Sequence, residues 1–302
     1  MFFLRVLLVI LIILILLYLL MIQPRIFHKP SRREHVSVLY AHRGLFDNNS
    51  DAPENSMAAF RKAVQAGYGI ELDVQLSKDG IPVIFHDFTL ARVARYEKGQ
   101  EPADAVRNDD GSLGVKGKVE DYTFEELQNF HLMDSEEKIP TFESFLQMVD
   151  GKVPLIVELK IEMTDLSLCP KADAILRDYK GVYCIESFNP LGVRWYKKNH
   201  SEVMRGQLSD WFFRDDPTLY RGPLYFMLTN LWFNFLTRPD FIAYNHKFYY
   251  NPSRMICRGL YRNVAAAWTI KSEEELAKAK KHFDIYIFDS FVPKDGPKVL
   301  DN

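Results

Sequence analysis

The chain has 302 residues, with 38 Lys and Arg against 40 Asp and Glu, so its formal charge is −2. This near balance excludes the strongly basic surface that is typical of nucleic-acid-binding proteins. The length suits one large α/β domain or two small ones, and a hydrophobic content of 47% can fill a sizeable core. Cys169, Cys184 and Cys257 are odd in number and scattered. They indicate free thiols rather than a disulfide framework or a metal site.

The first predicted element is an apolar helix, because residues 6–22 are uninterrupted apolar sequence preceded by the single cation Arg5. A membrane span needs roughly 20 apolar residues, and an arginine near one end can reach the interface. A cleaved signal peptide has a shorter apolar region of about 7–15 residues and a small-residue cleavage site, which this segment lacks. We therefore predict an uncleaved anchor over residues 1–22, a basic linker over 23–35 and one folded domain over 36–302.

The basic residues around the apolar helix predict its orientation. Four basic side chains follow the helix, whereas only Arg5 and the amino terminus precede it. Positively charged residues accumulate on the cytoplasmic side of a span. The sequence thus predicts a single-pass protein of the cell membrane whose folded domain lies in the cytoplasm. The four cations are Arg25, Lys29, Arg32 and Arg33.

Beyond the linker, apolar runs alternate with amphipathic segments, which is the pattern of βα units around a parallel sheet. Strands are predicted over residues 36–42, 69–74, 83–86, 155–160, 182–187, 203–208, 241–245, 264–268 and 285–289. Helices are predicted over residues 55–66, 124–129, 142–149, 171–178, 191–198 and 272–281. Thr123 with Glu126, and Ser272 with Glu275, have the spacing of capping boxes.

Nine strands are one more than an eight-stranded barrel needs. The connection over residues 75–81 is too short for a parallel crossover and contains the turn pair Asp79-Gly80. The strand over 83–86 is therefore predicted to return as a hairpin. The other eight predict a closed (β/α)8 barrel of the TIM type, preceded by a transmembrane helix. A doubly wound open sheet is the alternative, but no G-x-G-x-x-G follows the first strand.

Two segments lie outside this alternation. Residues 95–117 are charged and contain glycine, and they predict an exposed inserted loop. Residues 224–236 are unusually aromatic. Their first interpretation is a core helix of the outer ring, and the other is an interfacial element that touches a bilayer or holds a lipid tail. At 13 residues the segment is too short to span a membrane.

Carboxylates sit on two of the predicted strands. Glu71 and Asp73 are two residues apart and therefore face the same side of a strand, as do Glu158 and Lys160. Apolar residues fill the alternate positions, so the charged side chains are predicted to point into the barrel. Unpaired buried acids are costly, and a hard divalent cation such as Mg²⁺ or Ca²⁺ would neutralise them.

Histidines end two apolar strands near these acids. The first strand ends in His42-Arg43-Gly44, and the hairpin strand ends in His86-Asp87. Histidine is suited to proton transfer near neutral pH, and arginine binds phosphate oxygens in a bidentate manner. Two histidines, Arg43, Lys160 and a hard cation together predict a site for a phosphate ester.

In order along the chain, a set of short motifs resembles the glycerophosphodiester phosphodiesterases from about residue 36 to 293. The motifs are Ala41-His42-Arg43-Gly44, Pro53-Glu54-Asn55-Ser56, Ile70-Glu71-Leu72-Asp73-Val74, Lys78-Asp79-Gly80, His86-Asp87-x-Thr89-Leu90, Ile139-Pro140-Thr141, Glu158-Leu159-Lys160, Ser187-Phe188 and Trp268-Thr269. The resemblance implies a TIM-type barrel that hydrolyses glycerophosphodiesters to sn-glycerol 3-phosphate and an alcohol.

The same resemblance implies roles for individual residues. It makes His42 and His86 the general acid/base pair, and Glu71, Asp73 and Glu158 the ligands of one divalent cation, Mg²⁺ or Ca²⁺. Arg43 and Lys160 become phosphate contacts, Trp268 lines the glycerol pocket, and Glu54 and Asn55 support the mouth. Either water or the substrate's own glycerol hydroxyl attacks phosphorus, the second route passing through a cyclic phosphate.

The chain departs from the family pattern in its inserted segment after His86, in its last strand, which lacks the usual glycine-rich ending, and in its anchor and aromatic segment. The anchor opens a second hypothesis, a lysophospholipase D acting on membrane lysophospholipids. The third is a non-catalytic barrel that binds phosphodiesters. No partner other than a phosphodiester and the membrane is expected.

Overall fold

The computed structural model of the protein describes residues 2–215, 222–294 and 296–297. Its strands are β1 (Leu39–His42), β2 (Gly69–Leu76), β3 (Pro82–Ile84), β4 (Ala94–Arg95), β5 (Val106–Arg107), β6 (Leu113–Gly114), β7 (His131–Leu132), β8 (Leu155–Leu159), β9 (Tyr183–Ser187), β10 (Arg205–Ser209), β11 (Phe241–Asn245), β12 (Val264–Ile270) and β13 (Ile285–Phe288).

Its α-helices are α1 (Phe2–Ile22), α2 (Met57–Ala66), α3 (Phe124–Leu127), α4 (Phe142–Val149), α5 (Leu168–Leu176), α6 (Pro190–Asn199), α7 (Phe212–Asp215), α8 (Pro223–Thr229), α9 (Asn234–Thr237), α10 (Pro252–Gly259) and α11 (Glu273–Ala279). Short 3₁₀ turns cover Val119–Asp121 and His246–Phe248.

Eight parallel strands close into a barrel. Neighbours follow the order β1-β13-β12-β11-β10-β9-β8-β2, and β1 also pairs with β2, which closes the ring. The ninth predicted strand, β3, runs antiparallel to β2 with Val74 opposite Ile84. The predicted barrel and the predicted hairpin are both confirmed, and the open doubly wound sheet is wrong.

Residues alternate between the inside and the outside of this barrel. Tyr40, Ile156 and Phe241 belong to an apolar cluster in the interior. Their sequence neighbours, such as Ala41 and Val157, pack outward against the helices. Because the period of a strand is two, positions 42, 71, 73 and 158 follow the inward set. Polar residues at the carboxyl ends of the strands therefore meet at one mouth of the barrel.

The predicted helices are present, most of them with shifted ends, whereas α7 and α10 were missed. Asn251 caps α10 by accepting a hydrogen bond from the Arg254 N–H. The box at Thr123 and Glu126 is present. The box at Ser272 is only half formed, because the Glu275 carboxylate accepts from the N–H of Lys271 at 2.7 Å instead of from Ser272. The Glu275 carboxylate therefore pairs with the N–H group of the residue before the N-cap.

The segment over residues 95–117 is largely exposed, as predicted, but it contributes strands to a small antiparallel sheet rather than forming a loop throughout. Strands β5, β6, β4 and β7 pair in that order. Val93, Ala94 and Val115 are buried in an apolar cluster beside the hairpin strand β3. The prediction missed these strands because charged residues dominate the segment, and its buried Val115 packs with apolar residues that lie outside the segment. The sheet packs beside the barrel mouth.

The aromatic segment over residues 224–236 forms parts of two short helices, α8 and α9, rather than one. Leu231 separates them with a positive φ of 59°. Leu231 is buried, whereas Leu224, Phe226 and Phe235 are exposed. The interpretation as one core helix of the outer ring is therefore wrong.

Helix α1 has 21 residues, a mean hydropathy of 3.2 and the length needed to cross a membrane. Residues 2–17 are exposed, and Ile22 at its end is buried against the barrel. The chain then passes under the amino-terminal ends of the strands. There the Ser37 N–H donates to the carbonyl of Asp284, and His35 Nδ1 lies 2.7 Å from the Tyr40 hydroxyl. The segment after α1 is thus a packed part of the barrel floor.

Candidate active site

His42 ends β1 with its ring inside the barrel mouth. Its Nδ1 lies 2.9 Å from Asp289 Oδ2, and its Nε2 lies 3.9 Å from Glu71 Oε2. Burial, together with the nearby Arg43 guanidinium, lowers the pKa of His42 to about 4, although Asp289 opposes the shift. At neutral pH the ring is therefore uncharged. Nδ1–H donates to the Asp289 carboxylate, and Nε2 is left as the free acceptor.

Three carboxylates converge beside this ring. Asp73 on β2 stands in register with Glu158 on β8, and Glu71 precedes Asp73 on the same side of its strand. One oxygen of each acid lies within 4.8 Å of the others, and all three residues are buried. Burial, reinforced by the neighbouring acids, raises the pKa of Glu71 well above its usual range. The cluster is therefore electrostatically strained without a bound cation.

Two cations and an amide surround Asp73. Lys160 Nζ lies 3.6 Å from Asp73 Oδ1 and 3.0 Å from Glu158 Oε1. Arg43 Nε lies 3.5 Å from Asp73 Oδ2, to which Asn55 Nδ2 donates at 3.0 Å. Burial works against ionisation of Asp73, but His86, Lys160 and Arg43 outweigh it and lower the pKa of this acid. These partners therefore stabilise the ionised form of Asp73.

Glu54 neutralises the arginine cluster at the mouth. It accepts from Arg43 at 2.7 Å and from both terminal nitrogens of Arg92, at 2.8 and 2.6 Å. Although burial raises the pKa of Glu54, these cations lower it to about 2. Arg92 continues to Asp87, whose Oδ1 lies 2.5 Å from His86 Nδ1. One chain of ion pairs therefore joins His86 to Arg43.

His86 and Trp268 complete the predicted set. The Phe85 N–H donates to the carbonyl of Asp73, which brings the residue before His86 back beside the acids. The half-buried Trp268 is on β12, with its ring 5.5 Å from Phe188 in an edge-to-face contact. Its indole Nε1 is buried without a hydrogen-bond partner. An unpaired donor at the mouth suits a ligand oxygen. The structure thus brings all ten predicted site residues to one end of the barrel.

Sequence reasoning missed three residues of this site. Glu186 on β9 is opposite Glu158, is 1% exposed and has an unpaired Oε2. Asp289 is hydrogen-bonded to His42, and Arg92 is paired with Glu54. Glu186 and Asp289 share the signal that marked the others, an acid at the end of an apolar strand. Arg92 gave no comparable signal, because it is one of several cations before the inserted sheet.

A closed parallel barrel with buried carboxylates, two histidines and the cations Arg43 and Lys160 at the carboxyl ends of its strands has the make-up of a phosphodiesterase. The sequence model of the Glycerophosphoryl diester phosphodiesterase family matches residues 42–198, about half of the chain. The chain belongs to this family, and the resemblance drawn from its motifs is confirmed.

Relatives and solved structures agree with this assignment. The chain is 28% identical to a glycerophosphodiester phosphodiesterase of Caldanaerobacter subterraneus, over 81% of this chain and 90% of the relative. It is 33% identical to one from Bacillus altitudinis, but over only 42% of this chain and 46% of that relative. For human glycerophosphodiester phosphodiesterase 1 the match is 33% identical and spans 42% of this chain and 35% of that protein. The chain therefore spans less than half of two of these relatives.

Among solved structures, an Oleispira antarctica phosphodiesterase in complex with the product sn-glycerol-3-phosphate aligns with a TM-score of 0.62. It is 22% identical, and the alignment covers 84% of this chain and 93% of that one. The glycerophosphodiester phosphodiesterase of Thermotoga maritima has a TM-score of 0.57 at 24% identity, over 85% of this chain and 96% of that one. At such identities the likeness shows the shared fold.

Proposed function

We propose that the protein hydrolyses glycerophosphodiesters to sn-glycerol 3-phosphate and an alcohol. The observation that carries this proposal is the convergence of Glu71, Asp73 and Glu158 within 4.8 Å of one another, beside the cations Arg43 and Lys160. Such a site can hold a phosphodiester between positive groups and exclude bulk water. The product-bound Oleispira relative supports this substrate class.

The three acids fit one divalent cation. The donors are all oxygens, as Mg²⁺ and Ca²⁺ prefer, and Asp73 Oδ1 is buried with no hydrogen-bond donor. Glu71, Asp73 and Glu158 would hold the ion. When bound, it supplies positive charge that stabilises the phosphoryl oxygens and favours ionisation of a nearby hydroxyl.

The two histidines have complementary settings for proton transfer. His42 is neutral and keeps Nε2 as a free acceptor, because Asp289 receives its Nδ1–H. It is therefore suited to take the proton from the attacking hydroxyl, whether of water or of the substrate's glycerol. His86 Nδ1 lies 2.5 Å from Asp87 Oδ1, and this contact orients the ring. It is suited to give a proton to the oxygen of the departing alcohol.

The remaining predicted residues would position the substrate. Arg43 and Lys160 offer N–H donors to the phosphate oxygens, and the unpaired indole N–H of Trp268 offers one to the glycerol moiety. Asn55 orients Asp73, and Glu54 holds Arg43 at 2.7 Å. These two residues act through their neighbours rather than on the substrate.

We further propose that residues 1–22 anchor the protein in the cell membrane, that 23–35 connect the anchor to the catalytic domain over 36–302, and that this domain lies in the cytoplasm. Exposure of residues 2–17, which are apolar except for Arg5, supports the anchor. The same exposure favours the second candidate activity, cleavage of membrane lysophospholipids as a lysophospholipase D. Digestion of the domain by protease added outside intact cells would overturn the cytoplasmic orientation.

A panel of phosphodiesters assayed with Mg²⁺ or Ca²⁺ tests the activity. Glycerophosphocholine and lysophosphatidylcholine separate the two candidates. The His42→Ala variant should lose turnover, whereas His28→Ala, which removes an exposed histidine outside the barrel, should keep it. Phosphodiester binding without turnover by the wild type would contradict both activities and leave a binding protein.

A further inference from the structure

The end of α1 is fixed to the barrel by hydrogen bonds. Asn234 of α9 and Cys257 of α10 both donate to the carbonyl of Ile22, at 2.9 and 3.2 Å. The Tyr261 hydroxyl donates to the carbonyl of Leu19 at 3.0 Å. Tyr18 Oη lies 2.8 Å from Ser253 Oγ. These contacts place the last turn of the helix between α9 and α10, so its axis has a set direction relative to the barrel.

The order of contacts along α1 gives that direction. Tyr18 meets Ser253 in the first turn of α10, which follows the carboxyl end of β11. After α1 the polypeptide runs toward the amino-terminal ends of the strands, which form the floor of the barrel. Gln23 accepts from Arg238, and Arg25 donates to the carbonyl of Pro239, just before β11 begins. Since α1 runs toward the floor of the barrel, its amino-terminal part points the opposite way.

Residues 2–17 therefore project beyond the end of the barrel that carries the active site, here called the catalytic face. Sixteen helical residues at about 1.5 Å each extend roughly 24 Å, which is most of the apolar thickness of a bilayer. All of them are exposed. If these residues are in the bilayer, its surface lies near the level of Tyr18 and of the barrel mouth.

Exposed apolar side chains occur on the catalytic face. Phe226 of α8 is 47% exposed and stacks on Phe213, in the helix that follows the end of β10. Met163, in the connection after β8, is 85% exposed, and its carbonyl accepts from Asn189 just beyond β9. Large apolar side chains such as Phe face the bilayer in interfacial elements, and exposed apolar surface can mark a site of membrane contact.

We infer that the catalytic face of the barrel lies against the bilayer in which α1 is anchored, with Phe226 and Met163 in contact with lipid. This inference rests on the proposed membrane anchoring. The occupant of the face is a lipid surface because the apolar part of α1, which is long enough to cross a membrane, emerges on that side of the barrel. The active site then opens toward the membrane, so a phosphodiester carrying one acyl chain can enter without leaving it.

Site-directed fluorescence on the full-length protein in phosphatidylcholine vesicles tests the orientation. Phe226→Cys and Met163→Cys each introduce one accessible thiol, because Cys169, Cys184 and Cys257 are buried. Leu260→Cys is the matched control, an apolar residue 61% exposed at the floor end of α10. We expect nitroxide-labelled lipid to quench the labels at residues 226 and 163 several-fold more than the label at residue 260. Quenching by aqueous iodide should show the reverse order.

The inference is overturned if lipid quenches the label at residue 226 or at residue 163 no more than it quenches the label at residue 260. A Leu11→Cys label on α1 reports the anchor itself. If that label is also unquenched by lipid, the anchoring and the inference fall together. Turnover of glycerophosphocholine by the same variants is measured in detergent, so failure of the proposed hydrolase activity is detected separately from failure of the orientation.

Discussion

Asp289 Oδ2 lies 2.9 Å from His42 Nδ1, although the two residues are 247 positions apart in the chain. This contact fixes the tautomer in which Nε2 faces the acidic cluster. In Asp289→Asn, an amide can offer a donor to Nδ1 and favour the wrong tautomer. We expect kcat to fall by at least about tenfold, as for other partners that orient a histidine. The measurement is a pH–rate profile of kcat.

The control for this variant is Ser290→Ala. Ser290 Oγ donates to Asp289 Oδ1 at 2.7 Å, so the change removes one hydrogen bond but leaves the carboxylate charge. Its kcat should stay within a few-fold of the wild type. Equal losses in both variants would point to general disruption of the last loop rather than to the tautomer of His42.

Removing one of the buried acids should have opposite effects on the stability and on the activity of the protein. Glu71→Gln removes a carboxyl group whose pKa is raised by burial and by Asp73, Glu158 and Glu186. In EDTA the variant should melt about 2 °C or more above the wild type, because repulsion among the acids is relieved. With Mg²⁺ or Ca²⁺ the wild type should gain Tm, the variant should gain less, and its turnover should be lost.

Glu143→Gln provides the comparison for Glu71→Gln. Glu143 is an exposed acid in the first turn of α4 and belongs to neither the acidic cluster nor the ion-pair chain of the mouth. Its removal should leave both the metal-dependent rise in Tm and the activity unchanged. If neither EDTA nor added Mg²⁺ or Ca²⁺ changes the Tm and the turnover of the wild type, the proposed ion is contradicted.

Arg92 links the two halves of the mouth through Glu54 and Asp87. Arg92→Ala leaves Glu54 with Arg43 as its remaining ion-pair partner and frees Asp87 from its second donor. We expect kcat/KM to fall by about tenfold, since positioning of both Arg43 and His86 is loosened. Steady-state kinetics with glycerophosphocholine measure this loss.

Arg61→Ala tests whether loss of an ion pair alone explains such an effect. The Arg61–Glu137 pair is 3.4 Å long, and the Arg61 side chain is half exposed. Exposed pairs contribute about 0–1 kcal/mol, so this variant should keep the wild-type kcat/KM. If Arg61→Ala and Arg92→Ala behave alike, the network at the mouth has no special part in catalysis.

His35 makes stability depend on pH. Burial lowers the pKa of His35 to about 4, from an ordinary 6.5. Between these values the unfolded chain binds more protons, so the free energy of unfolding rises with pH across this window. The contribution is complete above pH 6.5, amounts to about 3 kcal/mol, and is lost as the pH falls toward 4. Urea unfolding at several pH values measures it.

His35→Asn keeps a polar side chain at the barrel floor but cannot titrate. Its unfolding free energy should change less between pH 4 and 6.5 than that of the wild type, the difference being about 3 kcal/mol. Parallel pH dependences in the two proteins would show that other groups, such as His42, account for the acid sensitivity.

The barrel and most of its site were predictable because they follow local rules. Alternation of apolar and polar residues fixed the inward direction of Glu71, Asp73 and Glu158. The shortness of the connection before β3 identified the hairpin. The residues that hold the site were harder to predict. Asp289 and Arg92 act through contacts that depend on ring closure and side-chain reach, which a single sequence does not encode at any fixed spacing.

Other misses have equally physical causes. Helix α10 begins with Pro252 and is held by the Asn251 cap and by packing, so its short mixed sequence carries little helical signal. Residues 95–117 look like a loop because their few apolar positions become a core only when they meet the hairpin strand. The residues after α1 looked like a free basic linker, yet Arg25 lies 3.5 Å from Asp240 and donates to the carbonyl of Ser201.

That packing of residues 23–38 under the strands has a mechanical consequence. A flexible tether would let an enzyme rotate freely above its anchor, but here helix and barrel must tumble, tilt and diffuse as one object. A proteolytic cut near residue 30 would not release the barrel cleanly, because the stump remains bonded to Asn234, Cys257 and Pro239. A shortened protein that begins at residue 36 would also expose the floor that these residues cover.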